Sequence, residues 1–148
     1  MTNDSFHPDL ARSRPNLQRV RAEDVDSETA QTPGMRRFAA ISNAKVGSQR
    51  LWMGETHVPP KMRSADHHHG EAETAIYVVS GSPEFVFLDE QTGRERRLCA
   101  QPGDYVFVPP YTPHREENNA PDVEAIVVIA RSTQEAIVVN LPSLRGPD

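Results

Sequence analysis

Short apolar runs separated by turn residues dominate the chain from residue 36 onward. Most of these runs are rich in Val, Ile, Phe or Tyr and end near Gly or Pro, as strands joined by tight turns do. The predicted strands are Arg37–Ser42, Ser48–Val58, Thr74–Ser80, Glu84–Asp89, Glu95–Cys99, Tyr105–Val108, Val123–Arg131 and Ala136–Asn140. No window shows the apolar spacing of an amphipathic helix. The pattern therefore predicts an all-β sandwich or barrel.

Two of these runs have the composition of strands that are covered on both faces. Thr74–Ser80 and Glu124–Arg131 carry apolar side chains at both alternations, so we expect them to form the centre of the core. Aromatic side chains also lie on the predicted strands, and we expect them in the core or on the wall of an apolar cavity. They are Trp52, Tyr77, Phe85, Phe87, Tyr105 and Phe107.

The first 35 residues differ from the rest of the chain. They are polar, and their few apolar residues show no sustained period of two or 3.6. We interpret residues 1–35 as an arm that docks on the body or on a partner subunit, with a frayed terminus as the alternative. Residues 36–148 then form one domain.

Composition excludes several classes of protein. The chain has 148 residues, which suits a single domain, and its formal charge of -5 argues against a nucleic-acid partner. No apolar run approaches the roughly 20 residues that span a bilayer, so we expect no membrane partner. Cys99 is the one cysteine and cannot form an intrachain disulfide, which favours a cytoplasmic location.

Histidines provide the candidate chemistry. In an extended segment residues i and i+2 project to the same side, so His67 and His69 can converge while His68 faces away. A third imidazole, His114, follows a proline-rich turn that fixes the backbone. Neutral imidazole is a good ligand for zinc, iron, nickel or copper. The sequence therefore predicts a divalent-metal site at His67, His69 and His114.

The spacing around these histidines resembles the two motifs of the cupin family. The first segment, from His67 to Gly81, is HHHGEAETAIYVVSG, and the second, from Gly103 to Asn118, is GDYVFVPPYTPHREEN. The resemblance implies a single cupin (jelly-roll) β-barrel. Lys61 and Tyr111 stand where the family has glycines.

The fourth ligand stays open between several residues. The family's acidic position falls on Thr74 when counted back from Gly81, and Glu73 is an allowed spacing when counted forward from His69. Strand alternation favours an inward Thr74, which would leave the site without a carboxylate. His57, at the end of a predicted strand, and Gln49, on the same face, are the candidate replacements.

Further segments narrow the resemblance. Residues 19–25 (RVRAEDV), 33–37 (PGMRR) and 67–81 are similar to zinc-dependent aromatic polyketide cyclases of the resistomycin type. That resemblance implies a homodimer with zinc held by His67, His69, His114 and His57, although iron or nickel would also suit these ligands. It also implies a polyketide substrate, closed into a ring by aldol condensation and loss of water. Glu73 is the candidate general base or fourth ligand. The alternatives are a non-haem dioxygenase and a non-enzymatic cupin that binds a small molecule.

Overall fold

Two antiparallel β-sheets face each other in the computed structural model, which describes residues 16–27 and 34–146. The strands are β1 (Arg36–Ile41), β2 (Trp52–Val58), β3 (Met62–Arg63), β4 (His67–His68), β5 (Thr74–Ser80), β6 (Glu84–Leu88), β7 (Glu95–Cys99), β8 (Tyr105–Val108), β9 (His114–Asn118), β10 (Ala125–Arg131) and β11 (Val139–Asn140). One sheet has the order β1-β2-β10-β5-β8, and the other has the order β11-β4-β9-β6-β7, with β3 paired to β9. The predicted all-β jelly roll is confirmed.

Helical structure is confined to two short segments among the described residues, a 3₁₀ turn at Ala22–Asp24 and helix α1 at Asn43–Val46. Ser42 caps α1 by accepting a hydrogen bond from the amide of Lys45, and Gly47 ends it with a left-handed backbone. The Ser48 hydroxyl then donates to the Leu51 carbonyl at 2.6 Å. Because this turn occupies residues 48–51, β2 starts at Trp52 and the prediction of a strand from Ser48 was wrong. No helix in the described ranges is long and apolar enough to cross a membrane.

Alternation along β2 and β5 places the core between the sheets. Trp52, Ile76 and Val78 point inward and are buried, and they pack against Phe85 from the facing sheet. The aromatic prediction was wrong for Tyr77 and Tyr105, because their positions on the strands point them to the outer face of the five-stranded sheet, where Tyr105 is 81% exposed. Phe107 also lies on this face and is 59% exposed, but it lines an apolar cavity, as predicted.

Part of the predicted N-terminal arm lies outside the described residues, namely 1–15 and 28–33. Where it is described, the arm touches the body through Asp26, which forms an antiparallel bridge with Ala39 of the edge strand β1. The two backbone hydrogen bonds of this bridge are both 2.8 Å long.

Strand β9 was not predicted because it is polar throughout, yet it lies inside the six-stranded sheet. Its inward residue Asn118 is fully buried, and its amide donates to the carbonyls of Val58 and Val123 at 2.9 Å each. On the opposite face, Glu117 accepts hydrogen bonds from Arg115 at 2.7 Å and from Arg97 at 3.0 Å. Paired polar groups thus replace apolar packing in this strand.

Glu117 links the stability of the fold to pH. Burial raises the pKa of its carboxyl group, but hydrogen bonds from Arg115, Arg97 and Asn119 lower it by more than burial raises it. The resulting pKa is about 2. A carboxylate whose pKa falls from 4.5 to about 2 on folding stabilises the native state by about 3 kcal/mol above pH 4.5. We expect this stabilisation to disappear as the pH falls from about 4.5 to about 2.

The Glu117→Gln variant tests this link. Urea unfolding at pH 7 should show a loss of about 3 kcal/mol, whereas the variant and the wild type should converge near pH 2. Glu90→Gln, in the exposed β6–β7 turn, is the control and should change little at either pH. A constant difference between Glu117→Gln and the wild type across this pH range would contradict the assignment.

The two residues that replace family glycines keep a glycine-like backbone. Lys61 has φ 61° and Tyr111 has φ 58°, the only non-glycine residues with positive φ among those described. Their amides are held in place by the carbonyls of Ala120 and Gly70, at 3.2 and 2.8 Å. The surrounding hydrogen bonds therefore impose a left-handed conformation that costs an L-residue about 1–2 kcal/mol.

Replacing Lys61 by glycine should therefore stabilise the protein. We expect a gain of about 0.5–1 kcal/mol in the free energy of unfolding, since the relieved strain exceeds the entropy that glycine loses on folding. Lys45→Gly, within helix α1, is the matched control and should destabilise by up to about 1 kcal/mol. Urea unfolding of both variants measures the difference, and a loss of stability in Lys61→Gly would contradict the strain.

Candidate metal centre

Three histidines meet where β4 and β9 pair inside the barrel. His67 and His114 lie directly opposite each other in the two strands, and His69 is the residue immediately after β4. The ring centroids of His67 and His114 are 4.5 Å apart. The ring centroid of His69 lies 4.8 Å from that of His67 and 5.1 Å from that of His114. One ring nitrogen from each imidazole lies within 4.8 Å of the other two. The residues are thus close enough to share one ion.

Backbone carbonyls fix the tautomer of all three rings. The Nδ1 atoms of His67, His69 and His114 lie 2.7, 2.8 and 2.9 Å from the carbonyl oxygens of Ala65, Ile137 and Thr112. A carbonyl oxygen only accepts, so each Nδ1 carries the proton and donates it. Each Nε2 is left with a free lone pair, which is the arrangement that outer hydrogen bonds impose on metal-binding histidines.

Burial favours the neutral, metal-binding form of two of these imidazoles, His69 and His114. His67 is 6% and His114 3% exposed, and burial is the main cause that lowers the pKa of both His114 and His69, the latter to about 4. The Nε2 atom of His114 is buried and has no hydrogen-bond partner within the described part of the chain. A buried lone pair without a partner is unfavourable unless something binds it. The donor set therefore fits a divalent metal ion such as zinc.

The structure does not bring His57 to this cluster. Residues alternate along β2, so buried Thr56 points inward and His57 points to the outer face. There the ring lies 3.2 Å from the carboxylates of both Glu55 and Glu124. The prediction that His57 faces the interior of the barrel was therefore wrong, because the alternation along β2 places its side chain on the other face. Gln49 lies in the exposed turn before β2.

Thr74 and Glu73 lie on opposite faces at the start of β5. Thr74 is buried and lines a cavity that His67 and His69 also line. Glu73 is exposed, and its backbone forms hydrogen bonds with Ser132, the residue that follows β10. The expectation of Glu73 as base or ligand is therefore corrected, because alternation directs its side chain away from the cavity.

The cavity beside His67 and His69, called the polar cavity below, has a volume of only about 30 Å³. Three charged side chains, Arg37, Glu116 and Arg131, reach its wall from three different strands. Its other lining residues are Trp52, Ser64, Ala72, Thr74, Ile129, Ile137 and Val138. Strand parity could have identified Arg131, which continues the inward series of Val127 and Ile129. Glu116 was missed because β9 was not predicted.

A second cavity reaches His114 from another side and is almost entirely apolar. This apolar cavity has a volume of about 260 Å³ and lies between β6, β7 and β8. Its lining residues are Phe85, Phe87, Leu98, Val106, Phe107, Val108, Pro109, Thr112 and His114. The histidine cluster is therefore bordered by a polar and an apolar space.

Comparison with known proteins agrees with this geometry. The cupin domain matches residues 54–130. The polyketide cyclase RemF from Streptomyces resistomycificus has a TM-score of 0.69 and 25% identity, and the match covers 89% of this chain and 90% of that chain.

More distant structures share the fold. KdgF from Halomonas sp. has a TM-score of 0.61 at 22% identity, over 81% of this chain and 96% of that chain. A mutant of the Bacillus subtilis oxalate decarboxylase OxdC has a TM-score of 0.63 at 21% identity, over 77% and 30%. No curated protein is significantly similar in sequence.

Proposed function

Because this chain belongs to the cupin family, we propose that it is a metal-dependent polyketide cyclase, which closes a ring of a poly-β-ketone by aldol condensation and loss of water. The observation that carries the proposal is the cluster of three imidazoles, in which the Nε2 atom of His114 is buried and has no hydrogen-bond partner among the described residues. The similarity to RemF along nine-tenths of both chains supports the choice of reaction.

His67, His69 and His114 hold the ion, for which zinc is our proposal. When bound, the ion supplies Lewis acidity to a substrate carbonyl. Glu116 takes the proton from the methylene group next to that carbonyl, since its carboxylate lines the same cavity as His67 and His69. The carbanion carbon bonds to a second carbonyl carbon of the chain, and the protonated Glu116 returns its proton to the resulting alkoxide. The hydroxyl group then leaves as water together with the remaining hydrogen of the former methylene carbon, which forms a carbon–carbon double bond.

The apolar cavity gives the substrate its shape. A flexible polyketone has many conformations, and a rigid aromatic wall selects those in which the two reacting carbons are adjacent. Phe85 and Phe87 provide such a wall next to His114. The same apolar surface keeps bulk water from the enolate, which would otherwise be reprotonated.

Metal analysis and an anaerobic assay test the proposal. The purified protein should contain zinc and convert a synthetic poly-β-ketone thioester into a cyclic product that is 18 mass units lighter, without oxygen. Oxygen consumption by an iron-loaded protein would instead support a dioxygenase. A metal-loaded protein that converts no such substrate, with or without oxygen, would overturn the enzymatic proposal in favour of a binding cupin.

We also propose that a second copy of the chain covers the outer face of the five-stranded sheet. Large apolar side chains are concentrated there, with Tyr77 and Tyr105 in contact at 4.9 Å between ring centroids. Exposed apolar surface of this extent on one sheet face is typical of a protein interface. The residues of this face are Met53, Ala75, Tyr77, Tyr105, Phe107, Val128 and Ala130.

A charge on this face should separate the subunits. Phe107→Glu would place a carboxylate in the apolar contact, so we expect a shift from dimer to monomer in light scattering coupled to gel filtration. Val123→Glu, an exposed apolar position in the β9–β10 turn, is the control and should remain dimeric. A dimer that survives Phe107→Glu would exclude this face as the interface.

A further inference from the structure

Arg131, the last residue of β10, presents its guanidinium to the polar cavity in a fixed orientation. In the five-stranded sheet it pairs with Trp52 of β2 and Thr74 of β5, and both of these residues also line the cavity. The guanidinium lies over the ring of Trp52 at 4.1 Å. Its Nε donates to the carbonyl of Thr133 at 3.1 Å, and Nη2 donates to that of Gln134 at 2.9 Å. Three contacts thus hold a long side chain in one place.

The other terminal nitrogen of Arg131 has donors to spare. Nη1 forms no hydrogen bond within the part of the chain that the structure describes, since the bonds to Thr133 and Gln134 come from Nε and Nη2. Among the described residues, no carboxylate lies within 4 Å of this guanidinium. Nη1 is therefore available to an oxygen atom that the protein itself does not supply.

The charge of Arg131 determines which oxygen it binds best. Burial lowers the pKa of the guanidinium and the charge of Arg37 lowers it further, to about 10, so Arg131 is still charged at pH 7. A charged donor forms its strongest hydrogen bonds with an oxygen that carries negative charge. A ketone oxygen acquires such charge when the neighbouring carbon loses a proton. An enolate is thus a suitable ligand, and a polyketone thioester can form one although it has no carboxylate.

The small size of the polar cavity brings Arg131 close to the reacting groups of the proposed site. Its volume of about 30 Å³ admits about two water-sized groups, because one water needs about 10–15 Å³ by the same measure. His67, His69 and Glu116 line the same space. A single C–O group would fill it, so an oxygen bound by Arg131 lies next to the proposed metal ligands and the proposed base.

We propose that Nη1 of Arg131 donates a hydrogen bond to one oxygen of a β-diketone unit of the substrate and stabilises its enolate. This inference rests on the proposed function. Glu116 takes a proton from the methylene group between the two carbonyls, and the electron pair of the broken C–H bond spreads over both oxygens. Arg131 binds one of them as the charge develops, which makes it a catalytic residue.

Titration of pentane-2,4-dione with the metal-free protein tests the inference without catalysis. This dione has one β-diketone unit, and its enolate has an ultraviolet band distinct from those of the neutral forms. With excess protein, prepared with EDTA and kept below the pKa of Arg131, we expect the apparent pKa of the dione to fall by about 1 unit or more. One unit corresponds to a tenfold preference for the enolate.

Variants at position 131 identify the source of this shift. Arg131→Gln should remove most of it, and Arg131→Lys should retain only part, because it keeps the charge without the planar fork. Arg36→Gln is the matched control and should keep the wild-type shift, since Arg36 pairs with Glu124 on the outer surface. Thermal unfolding shows whether each variant is folded. If Arg131→Gln is not, the comparison of Arg131→Lys with the wild type decides.

The two proposals can fail separately. A shift that depends on Arg131, in a protein that cyclises nothing, supports the enolate site and removes only the reaction. In an active cyclase, Arg131→Gln should lower kcat by about 10²- to 10³-fold at unchanged metal content, the usual loss for one oxyanion donor. The absence of a shift with the wild type, an equal shift in Arg131→Gln, or an unchanged kcat in that variant would overturn the inference and leave the proposed function standing.

Discussion

Replacing His114 by alanine is expected to lower metal affinity by at least about 100-fold and to abolish cyclisation. The variant removes one of three imidazoles and with it the buried Nε2 atom, which no other described residue partners. Two imidazoles cannot complete the set of three protein ligands that a zinc enzyme uses. Competition with a chromophoric chelator gives the affinity, and elemental analysis after dialysis gives the occupancy.

His57→Ala is the informative control for this experiment. His57 is ion-paired on the outer face of β2, so its loss should leave metal content and cyclisation unchanged. A loss of metal in His57→Ala comparable to that in His114→Ala would contradict the three-histidine site and support the four-histidine set. Thermal unfolding of both variants shows that neither result reflects misfolding.

Glu116→Gln should reduce kcat by about 10²- to 10⁴-fold while metal content stays the same. The amide keeps the size and shape of the side chain but cannot accept a proton, and this range is the usual contribution of a general base. The backbone of Glu116 is held by Ser64 through hydrogen bonds of 2.9 Å, so the substitution should not displace β9. Initial rates of cyclisation, with zinc measured in the same samples, provide the test.

Glu73→Gln is the matched control for the base. Glu73 is exposed and absent from the cavity wall, so its variant should retain the wild-type rate. If Glu73→Gln lost activity while Glu116→Gln kept it, the assignment of the base would have to be reversed.

The apolar strands could be predicted from the sequence because their side chains report burial directly. β5 was predicted with the bounds that it has, and β10 differs only at its start, since both are apolar on the two faces. β9 could not be predicted in this way. Its burial is stabilised by ion pairs with β7 and by the amide of Asn118, and these partners are distant in sequence.

The site was predictable to the extent that it depends on local geometry. The i, i+2 spacing of His67 and His69 was sufficient to place both rings on one side of a short extended segment. The orientation of His57 was not, because its parity depends on where β2 begins to pair with its neighbours. Which side chains of a strand point inward depends on how the strand pairs with its neighbours on either side. The sequence of one strand alone does not specify this pairing.

The two faces of strand β9 have different roles. His114 and Glu116 face the candidate metal centre, whereas Arg115 and Glu117 belong to the ionic network on the other face, where Arg115 reaches Asp66 immediately before His67. Substitutions at positions 114 and 116 should therefore alter reactivity with little effect on folding, and substitutions at positions 115 and 117 should do the reverse. For an engineer who wants a different reaction in this scaffold, positions 114 and 116 can be varied together, but a single deletion within the strand would exchange the two faces and destroy both.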